Sequence, residues 1–287
     1  MPELPEVETV RRGLEPVLAG ARLRRVEARR PDLRFPLPEG FVQRLTGARI
    51  ERLRRRGKYI LADLDRDETL IIHLGMTGRF DIQGSGRSLP TGDFVLAAPV
   101  DAKHAHIVFE TEAGARVTYF DARRFGFMDL AASAGLAGHA RFVKMGPEPL
   151  EADFNPAYLA KVFAGRLQGP KTLLLDQAVV AGLGNIYVCE VLFRAGVSPL
   201  KPAGALRRVK INSIVAAVRK VLEAAILAGG STLRDFADTQ GVMGYFQHAF
   251  AVYGREGEAC QAAGCSDRVL RIVQAGRSTF YCPSCQA

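Results

Sequence analysis

The sequence predicts a multi-domain α+β protein. An N-terminal antiparallel β-sandwich with flanking helices precedes a helical domain, and the chain ends in a cysteine-bearing β-hairpin. Three observations predict this class. Short strand-like runs broken by Gly, Asp and Pro fill residues 21–130. Helical periodicity replaces them after about residue 150, and short strands return from residue 250 onward. With 287 residues, the chain is long enough for two domains that each bury a core.

The first predicted element is a helix that begins just after the N-terminus. Val7, Val10, Leu14 and Leu18 recur at helical spacing, and Pro5 suits a first helical turn. The opening MPELPEVETV therefore places two carboxylates at the positive end of a helix dipole. If the initiator methionine is removed, a proline with a secondary amine becomes the terminal residue beside them.

Alternating apolar residues predict the strands of the sandwich, and a Pro-rich acidic stretch, MGPEPLEADFNP, predicts a hinge before the helical domain. The predicted strands include YILADL (59–64), TLIIHL (69–74), AHIVFE (105–110) and RVTYF (116–120). The predicted helices of the second domain cover 157–165, 171–181, 185–195 and 205–228. The predicted domains are 1–132 for the sandwich, 133–150 for the hinge, 151–249 for the helical domain and 250–287 for the hairpin.

The composition favours a polyanionic partner. The chain carries 39 Lys and Arg against 30 Asp and Glu, a net charge of +9, and a basic excess of this kind is typical of nucleic-acid-binding proteins. Arginines are dense in RLRRVEARR (22–30) and ERLRRRGKY (51–59). These two runs form either a solvated face or a groove that follows a phosphate backbone.

The start of the chain has no basic segment followed by an apolar one, as a secretory signal would have. No uninterrupted apolar stretch approaches the roughly 18 residues that a membrane helix needs. We therefore expect a cytosolic protein without a membrane partner. Disulfides are disfavoured in that compartment.

Four cysteines near the C-terminus have the spacing of a structural zinc site. Cys260 and Cys265 form a C-x4-C pair, and Cys282 and Cys285 form a C-x2-C pair, with two strand-like runs and an Ala-Gly turn between them. Four thiolates on two knuckles of a hairpin fill a tetrahedral zinc site and leave no position for catalysis. We predict one structural zinc ion here. The fifth cysteine, Cys189, lies in an apolar helix and is expected to be buried.

Several blocks of the sequence, taken together, resemble a known family. They are PELPEVETVRRG at the start, HLGMTG (73–78), DARRFG (121–126), LLDQAVVAGLGNIYVCE (174–190) and GRSTFYCPSC (276–285). In this order and over nearly the whole chain, they look like bacterial formamidopyrimidine-DNA glycosylase. The resemblance implies a helix-two-turn-helix domain and a zinc-finger hairpin. It also implies a base-excision repair enzyme that removes oxidised purines, such as 8-oxoguanine and formamidopyrimidines, and cleaves the abasic site by β,δ-elimination.

The resemblance implies that the N-terminal amine of Pro2 is the nucleophile and forms a Schiff base with C1′ of the sugar. A terminal α-amine has a pKa of about 8, and a helix N-terminus lowers it further, so that much of the amine is neutral and nucleophilic. Glu3 is expected to protonate the sugar ring oxygen as a general acid, and Glu6 to relay protons or hold the site in place. Lys58 is expected to assist β-elimination, and Arg277 on the hairpin to bind phosphate and assist δ-elimination.

A damaged base is reached only when it leaves the stack, so the family also implies residues that fill the hole. Met76, Arg123 and Phe125 match the apolar plug, the donor to the orphaned cytosine and the stacking aromatic. The remaining predicted DNA contacts, most of them to phosphate, are His73, His104, Lys171 and Asn185.

Two departures from the family pattern are visible. The first cysteine knuckle has four intervening residues where two are expected, which makes Cys260 the least regular ligand. The segment TQGVMGYF (239–246), where the family closes over the everted base, carries Val242 and Met243 in place of polar or Pro residues. No function is inferred for the loop at 81–93.

Two alternative functions remain at this point. An endonuclease VIII-like glycosylase shares the terminal proline but removes oxidised pyrimidines, and PELPE together with the Met, Arg and Phe wedge argues against it. A non-catalytic zinc-stabilised DNA-binding protein would not need Pro2, Glu3, Lys58 and Arg277. The expected protein is a bacterial, monomeric enzyme of the cytoplasm that associates with the nucleoid and binds duplex DNA containing oxidised purines.

Overall fold

The computed structural model describes residues 2–84, 101–231 and 244–286. The chain packs into two compact units. The first unit comprises Met1–Val143 and Ile226–Gln247, and the second comprises Lys144–Ala225 and His248–Ala287. The described part of 226–247 therefore packs with the N-terminal unit, whereas the sequence assigns it to the helical domain.

The first unit is built on two four-stranded antiparallel sheets, with strand orders β1-β6-β7-β5 and β2-β3-β4-β8. All four strands predicted from the sequence are confirmed, to within one residue at either end. The helices are α1 (Leu4–Leu18) and α2 (Phe41–Leu45). The strands are β1 (Leu23–Ala28), β2 (Ile50–Arg56), β3 (Tyr59–Leu64), β4 (Glu68–His73), β5 (Arg79–Gln83), β6 (Ala105–Thr111), β7 (Arg116–Phe120) and β8 (Phe127–Ala132).

Both sheets and α1 share one hydrophobic core, which confirms the predicted sandwich. Val10 and Leu14 of α1 are fully buried in the same cluster as Ile60 of β3 and Val117 of β7. The helix forms where predicted because its apolar residues recur every three or four positions, and it packs on β2 and β3. The core thus fixes α1 against the sheet that contains β2, β3 and the turn between them.

The second unit contains four α-helices and a β-hairpin. The predicted helix at 171–181 is shorter than expected, because Asp176 ends it and its side chain accepts a hydrogen bond from the Ala178 N–H at 2.9 Å. The elements are α3 (Pro156–Phe163), α4 (Pro170–Leu175), α5 (Asn185–Arg194), α6 (Arg208–Leu227), β9 (Leu270–Gln274) and β10 (Arg277–Tyr281), and the last two residues of α6 belong to the first unit.

The hairpin turn between β9 and β10 is the one that the sequence predicts. Ala275 and Gly276 have φ angles of +48° and +71°, the left-handed pair that a two-residue type I′ turn requires. Among the described residues, no helix has the length and apolar character to cross a membrane.

A buried carboxylate joins α5 to the chain that leads into the hairpin. Glu190 is fully buried, and its oxygens accept hydrogen bonds from the backbone N–H groups of Ala251, Val252 and Tyr253 at 2.9–3.0 Å. Arg194, one turn later, donates to the same carboxylate at 2.6 Å. The carboxylate therefore satisfies three backbone donors that would otherwise be buried unpaired.

Glu190→Gln should lower the free energy of unfolding by about 2–4 kcal/mol, because an amide replaces the charged acceptor and leaves buried donors unsatisfied. The measurement is the urea unfolding curve of the variant. Glu258→Gln is the matched control, since the Glu258 side chain is 57% exposed and, among the described residues, its only ion-pair partner is Arg255. Equal losses in the two variants would contradict the proposed role of Glu190.

Candidate active site and DNA-binding surface

The N-terminal residues are buried rather than frayed. Pro2 is buried, and Glu3 and Glu6 are each 2% exposed. Glu6 accepts a hydrogen bond from the Glu3 N–H on Oε2 at 2.9 Å, and from the N–H and hydroxyl of Ser231 on Oε1 at 2.8 and 3.0 Å. One carboxylate therefore ties the start of α1 to a distant part of the same unit. This geometry favours the holding role among those predicted for Glu6.

The β2–β3 turn carries Lys58, which is 8% exposed. Gly57 precedes it with a φ of +54°, in the left-handed region that glycine adopts without strain. The strand before the turn is attached to α1 by an ion pair between Arg55 Nε and Glu8 Oε2 at 3.3 Å. The strand that leads to the predicted elimination lysine is thus attached to α1, the helix that begins two residues after the predicted nucleophile.

His73 ends β4 and lies opposite Tyr59 in the sheet. Burial, together with the nearby positive charges of Lys58, Arg34 and Arg141, lowers the pKa of His73 to about 4. The Gly75 N–H donates to Nδ1 at 3.0 Å, so the neutral ring carries its proton on Nε2. His73 is therefore a neutral hydrogen-bond donor in a strongly positive environment.

The HLGMTG and DARRFG motifs lie side by side because a buried aspartate joins them. Asp121 accepts hydrogen bonds from the Thr77 hydroxyl at 2.5 Å and from the Gly126 N–H at 2.8 Å. The Arg123 N–H donates to the same Thr77 hydroxyl oxygen at 3.2 Å. The loops approach so closely that a Cβ on Gly75 would lie 2.2 Å from Gly126 N. Glycine is therefore required in the first motif.

These two loops present the three predicted wedge residues to solvent. Met76 is 36% exposed and Phe125 is 41% exposed, although apolar residues of this size are typical of a core. The Arg123 guanidinium lies 4.8 Å from the centre of the Phe125 ring. His104, another predicted DNA contact, is attached to the second loop, because its backbone carbonyl accepts a hydrogen bond from the Asp121 N–H at 3.1 Å.

In the second unit, two predicted DNA contacts meet at one backbone carbonyl. Lys171 Nζ and Asn185 Nδ2 donate to the Ser278 carbonyl at 2.8 and 2.9 Å. Ser278 follows Arg277, which is exposed at the start of β10. The structure therefore places Asn185 and Arg277 on neighbouring elements.

Lys171 does not have the position that a direct phosphate contact requires. The sequence predicts it as a phosphate ligand, but the side chain is 0% exposed and its ammonium also donates to the Thr279 hydroxyl at 2.6 Å. A buried lysine that donates to a strand backbone supports that strand instead of reaching solvent. The geometry corrects the prediction: Lys171 positions β10, which carries Arg277.

The four predicted zinc ligands come together. Their sulfur atoms all lie within 4.8 Å of one another, with 3.8 Å between Cys260 and Cys285 and 3.7 Å between Cys265 and Cys282. A tetrahedral site with Zn–S bonds of about 2.3 Å has sulfurs about 3.8 Å apart, whereas a disulfide needs about 2.05 Å. The hairpin therefore fits one structural zinc ion, and the irregular first knuckle still supplies Cys260. Cys189 is buried, as predicted.

Most arginines of the two arginine-dense runs have carboxylate partners within the same unit. Arg24 pairs with Glu110 at 3.2 Å, and Arg52 and Arg54 both pair with Asp63 at 2.5 and 2.7 Å. Further pairs in these runs join Arg22 to Asp65, Arg25 and Arg29 to Glu27, Arg30 to Asp32, and Arg55 to Glu8. This pairing favours a neutralised face over a phosphate-binding groove.

Sequence reasoning missed the contacts of Asp121, Glu190 and Ser231, although the first two stand within the DARRFG and LLDQAVVAGLGNIYVCE blocks. Val242 and Met243 lie outside the described residues, as do positions 85–93 of the 81–93 loop.

Comparison with known proteins settles the family. Three family models match: the formamidopyrimidine-DNA glycosylase N-terminal domain at residues 1–128, the formamidopyrimidine-DNA glycosylase H2TH domain at 145–237, and a zinc finger found in FPG and IleRS at 257–287. The chain belongs to the formamidopyrimidine-DNA glycosylase family.

Relatives in this family match over the full length. The formamidopyrimidine-DNA glycosylase of Caulobacter vibrioides is 63% identical over 286 residues, with 100% of both chains covered. A Lactococcus lactis Fpg, solved with DNA containing an abasic site, has a TM-score of 0.85 and 34% identity over 99% of both chains. The MutM (FPG) protein of Thermus thermophilus has a TM-score of 0.83 and 36% identity over 99% of this chain and 98% of that chain.

The acid sensitivity of this formamidopyrimidine-DNA glycosylase family member should depend on His73. The pKa of His73 in the folded protein, about 4, lies below the ordinary value of 6.5. Between those two values the unfolded state binds more protons than the folded state, so the free energy of unfolding falls as the pH falls. The expected loss is at most about 3 kcal/mol for a shift of this size. His73→Gln should flatten the pH dependence of unfolding free energy between pH 6.5 and 4. The exposed His248, replaced by Gln, is the control, and an equal change there would refute the assignment.

The zinc site predicts one ion per chain, measured by mass spectrometry of the metal. Cys282→Ala should lose the ion, because three thiolates do not complete the site. Cys189→Ala removes an equally buried thiol outside the cluster and should keep it. A native protein that is folded and free of zinc would contradict this prediction.

Proposed function

We propose that the protein is a base-excision repair enzyme that excises oxidised purines from duplex DNA and cleaves the resulting abasic site. As a member of its family, it is a DNA glycosylase with AP lyase activity. The single observation that carries the proposal is the buried N-terminus, in which Glu6 holds the Glu3 N–H at 2.9 Å. A chain terminus is usually frayed, so one that is buried at a helix start is suited to chemistry.

In the proposed mechanism, Met1 is removed and the Pro2 amine attacks C1′ of the damaged nucleotide. The C1′–N bond to the base breaks, the departing base takes up the proton that the amine loses, and the amine nitrogen and C1′ form a cationic Schiff base that acts as an electron sink for the eliminations. Glu3 transfers its proton to the sugar ring oxygen as the ring opens. Lys58 moves a proton in β-elimination, and Arg277 binds phosphate during δ-elimination.

Glu6 is a positioning residue in this mechanism. Its two carboxylate oxygens have different partners, the Glu3 N–H on one side and Ser231 on the other. Both contacts orient the backbone that carries Glu3.

DNA recognition is proposed to depend on the two wedge loops. Met76 and Phe125 are exposed apolar groups on loops fixed by Asp121, which is the arrangement that inserts into a base step. Arg123 presents a guanidinium to the orphaned cytosine. His73, in its neutral form, is proposed to contact phosphate, and so are His104 and Asn185. This wedge favours purine lesions over the endonuclease VIII alternative.

We further propose that the enzyme acts as a monomer on chromosomal DNA in the bacterial cytoplasm, in association with the nucleoid. The relatives named above are bacterial proteins. The substrate is duplex DNA containing 8-oxoguanine or formamidopyrimidines.

The experiment begins with the intact mass of the protein, because a retained Met1 would make the Pro2 nitrogen an unreactive amide. The Met-less protein is then incubated with an 8-oxoguanine duplex and borohydride, and any adduct is mapped. An adduct on Pro2 is expected. If no duplex gives an adduct, the lyase mechanism is wrong, and if only an oxidised pyrimidine duplex does, the lesion class is wrong.

Glu3→Gln tests the general acid within the same experiment. Base excision should fall by about 10²–10⁴-fold, while binding to the duplex is retained. Glu15→Gln is the matched control on the same helix, since Glu15 is 48% exposed and pairs with Arg11. Unchanged excision in Glu3→Gln would rule out the acid role.

A further inference from the structure

Beside the wedge loops lies a group of aromatic rings and arginines that no predicted role uses. Phe35 and Phe127 meet edge to face with ring centres 5.4 Å apart. The Arg141 guanidinium lies 4.8 Å from the Phe35 ring and 4.6 Å from the Phe127 ring, and Arg34 lies 5.5 Å from Phe35. Both arginine side chains are exposed. Ring contacts therefore fix two guanidinium groups next to the same Phe35 ring while leaving them accessible.

Neither guanidinium is neutralised. Within the described ranges, no carboxylate lies at ion-pair distance from Arg34 or Arg141, whereas most arginines of the 22–30 and 51–59 runs have such partners. Arg123, the predicted donor to the orphaned cytosine, has a similar environment. Its guanidinium contacts a ring and has no carboxylate partner among the described residues. A cation that is held in place and left without an acid is suited to an anionic ligand.

The position of this pair connects two predicted DNA contacts. Phe127 stacks on His73 with ring centres 5.4 Å apart, and both arginines are close enough to His73 to lower its pKa. The backbone N–H of Arg34 donates to the carbonyl of Gly126, in the DARRFG motif, at 3.0 Å. From Arg34, an open cleft of about 390 Å³ continues to Arg123 and Phe125. A strand that contacts both His73 and the wedge would pass Arg34 and Arg141.

We propose that Arg34 and Arg141 together bind one phosphodiester of the bound DNA, between His73 and the wedge loops. The proposal rests on the proposed function, since it needs DNA on this face. Arg141 is the diagnostic residue, because its side chain makes ring contacts and no ion pair in the described structure. Its replacement leaves the contact between Phe35 and Phe127 in place.

The test compares duplex binding over a range of salt concentrations for the native protein, R141Q and the R34Q/R141Q double variant. Loss of one phosphate contact should make the slope of log Kobs against log [salt] shallower by about 0.9. The affinity at low salt should fall about tenfold for the double variant, and R141K should restore most of the slope. A loss of affinity with an unchanged slope would indicate base stacking and overturn the proposal.

Arg66→Gln is the matched control for net charge. Arg66 is exposed at the opposite end of the β3–β4 hairpin from His73, roughly 20 Å away at about 3.3 Å per residue. Its removal should leave the salt slope unchanged. An equal change of slope in R66Q and R141Q would show that the slope depends on net charge and not on a specific contact, and would overturn the proposal.

The contacted phosphate can be found with duplexes in which one linkage at a time is an uncharged methylphosphonate. At one linkage, the native protein should lose affinity while the double variant loses none. If the methylphosphonate lowers the affinity of the double variant as much as that of the native protein at every linkage, the two losses are additive and the two arginines bind no phosphate. The native protein is first tested for duplex binding and for the borohydride adduct. Failure there would refute the proposed function, whereas native activity with additive losses would refute only the phosphate site.

Discussion

The hydrogen bonds of the Glu6 carboxylate are the contacts on which the candidate active site depends. A chain terminus has no preceding residues to hold it, so its order must come from tertiary contacts. Glu6 supplies them by accepting the Glu3 N–H and the backbone and hydroxyl of Ser231. Because the carboxylate is 2% exposed, these bonds do not compete with bulk water. The nucleophile and acid proposed for catalysis are therefore positioned by a third residue.

Buried acids that accept backbone N–H groups recur at the other functional segments. Asp121 holds the two wedge loops together, and Glu190 holds the chain that leads into the zinc hairpin. Each acid lets a loop keep a defined shape without a regular hydrogen-bond ladder. The wedge residues Met76 and Phe125 can remain exposed for the same reason, because the loop beneath them is fixed by polar contacts instead of by their own burial.

The distribution of charge on the first unit follows from pairing and not from the density of arginine in the sequence. Asp63 pairs with two arginines of the densest run, whereas Arg34, Arg123 and Arg141 contact rings and have no carboxylate partner in the described ranges. The net charge of +9 therefore says that a polyanion is favoured, but the paired acids decide which surface receives it. His73 remains neutral in that surface because burial opposes its protonation.

The sequence by itself determined the α+β class, helix α1, four strands of the sandwich, the hairpin turn and the zinc ligands. These features depend on local periodicity, on turn residues such as Ala275 and Gly276, or on the fixed spacing of Cys282 and Cys285, and such patterns are readable along the chain. Tertiary structure alone decided that Lys171 supports β10 from inside, and that Met76 is exposed. It also decided which acid pairs with which arginine, since partners such as Arg24 and Glu110 are distant in the chain. Burial and ion pairing depend on how distant segments pack, and no local pattern encodes that packing.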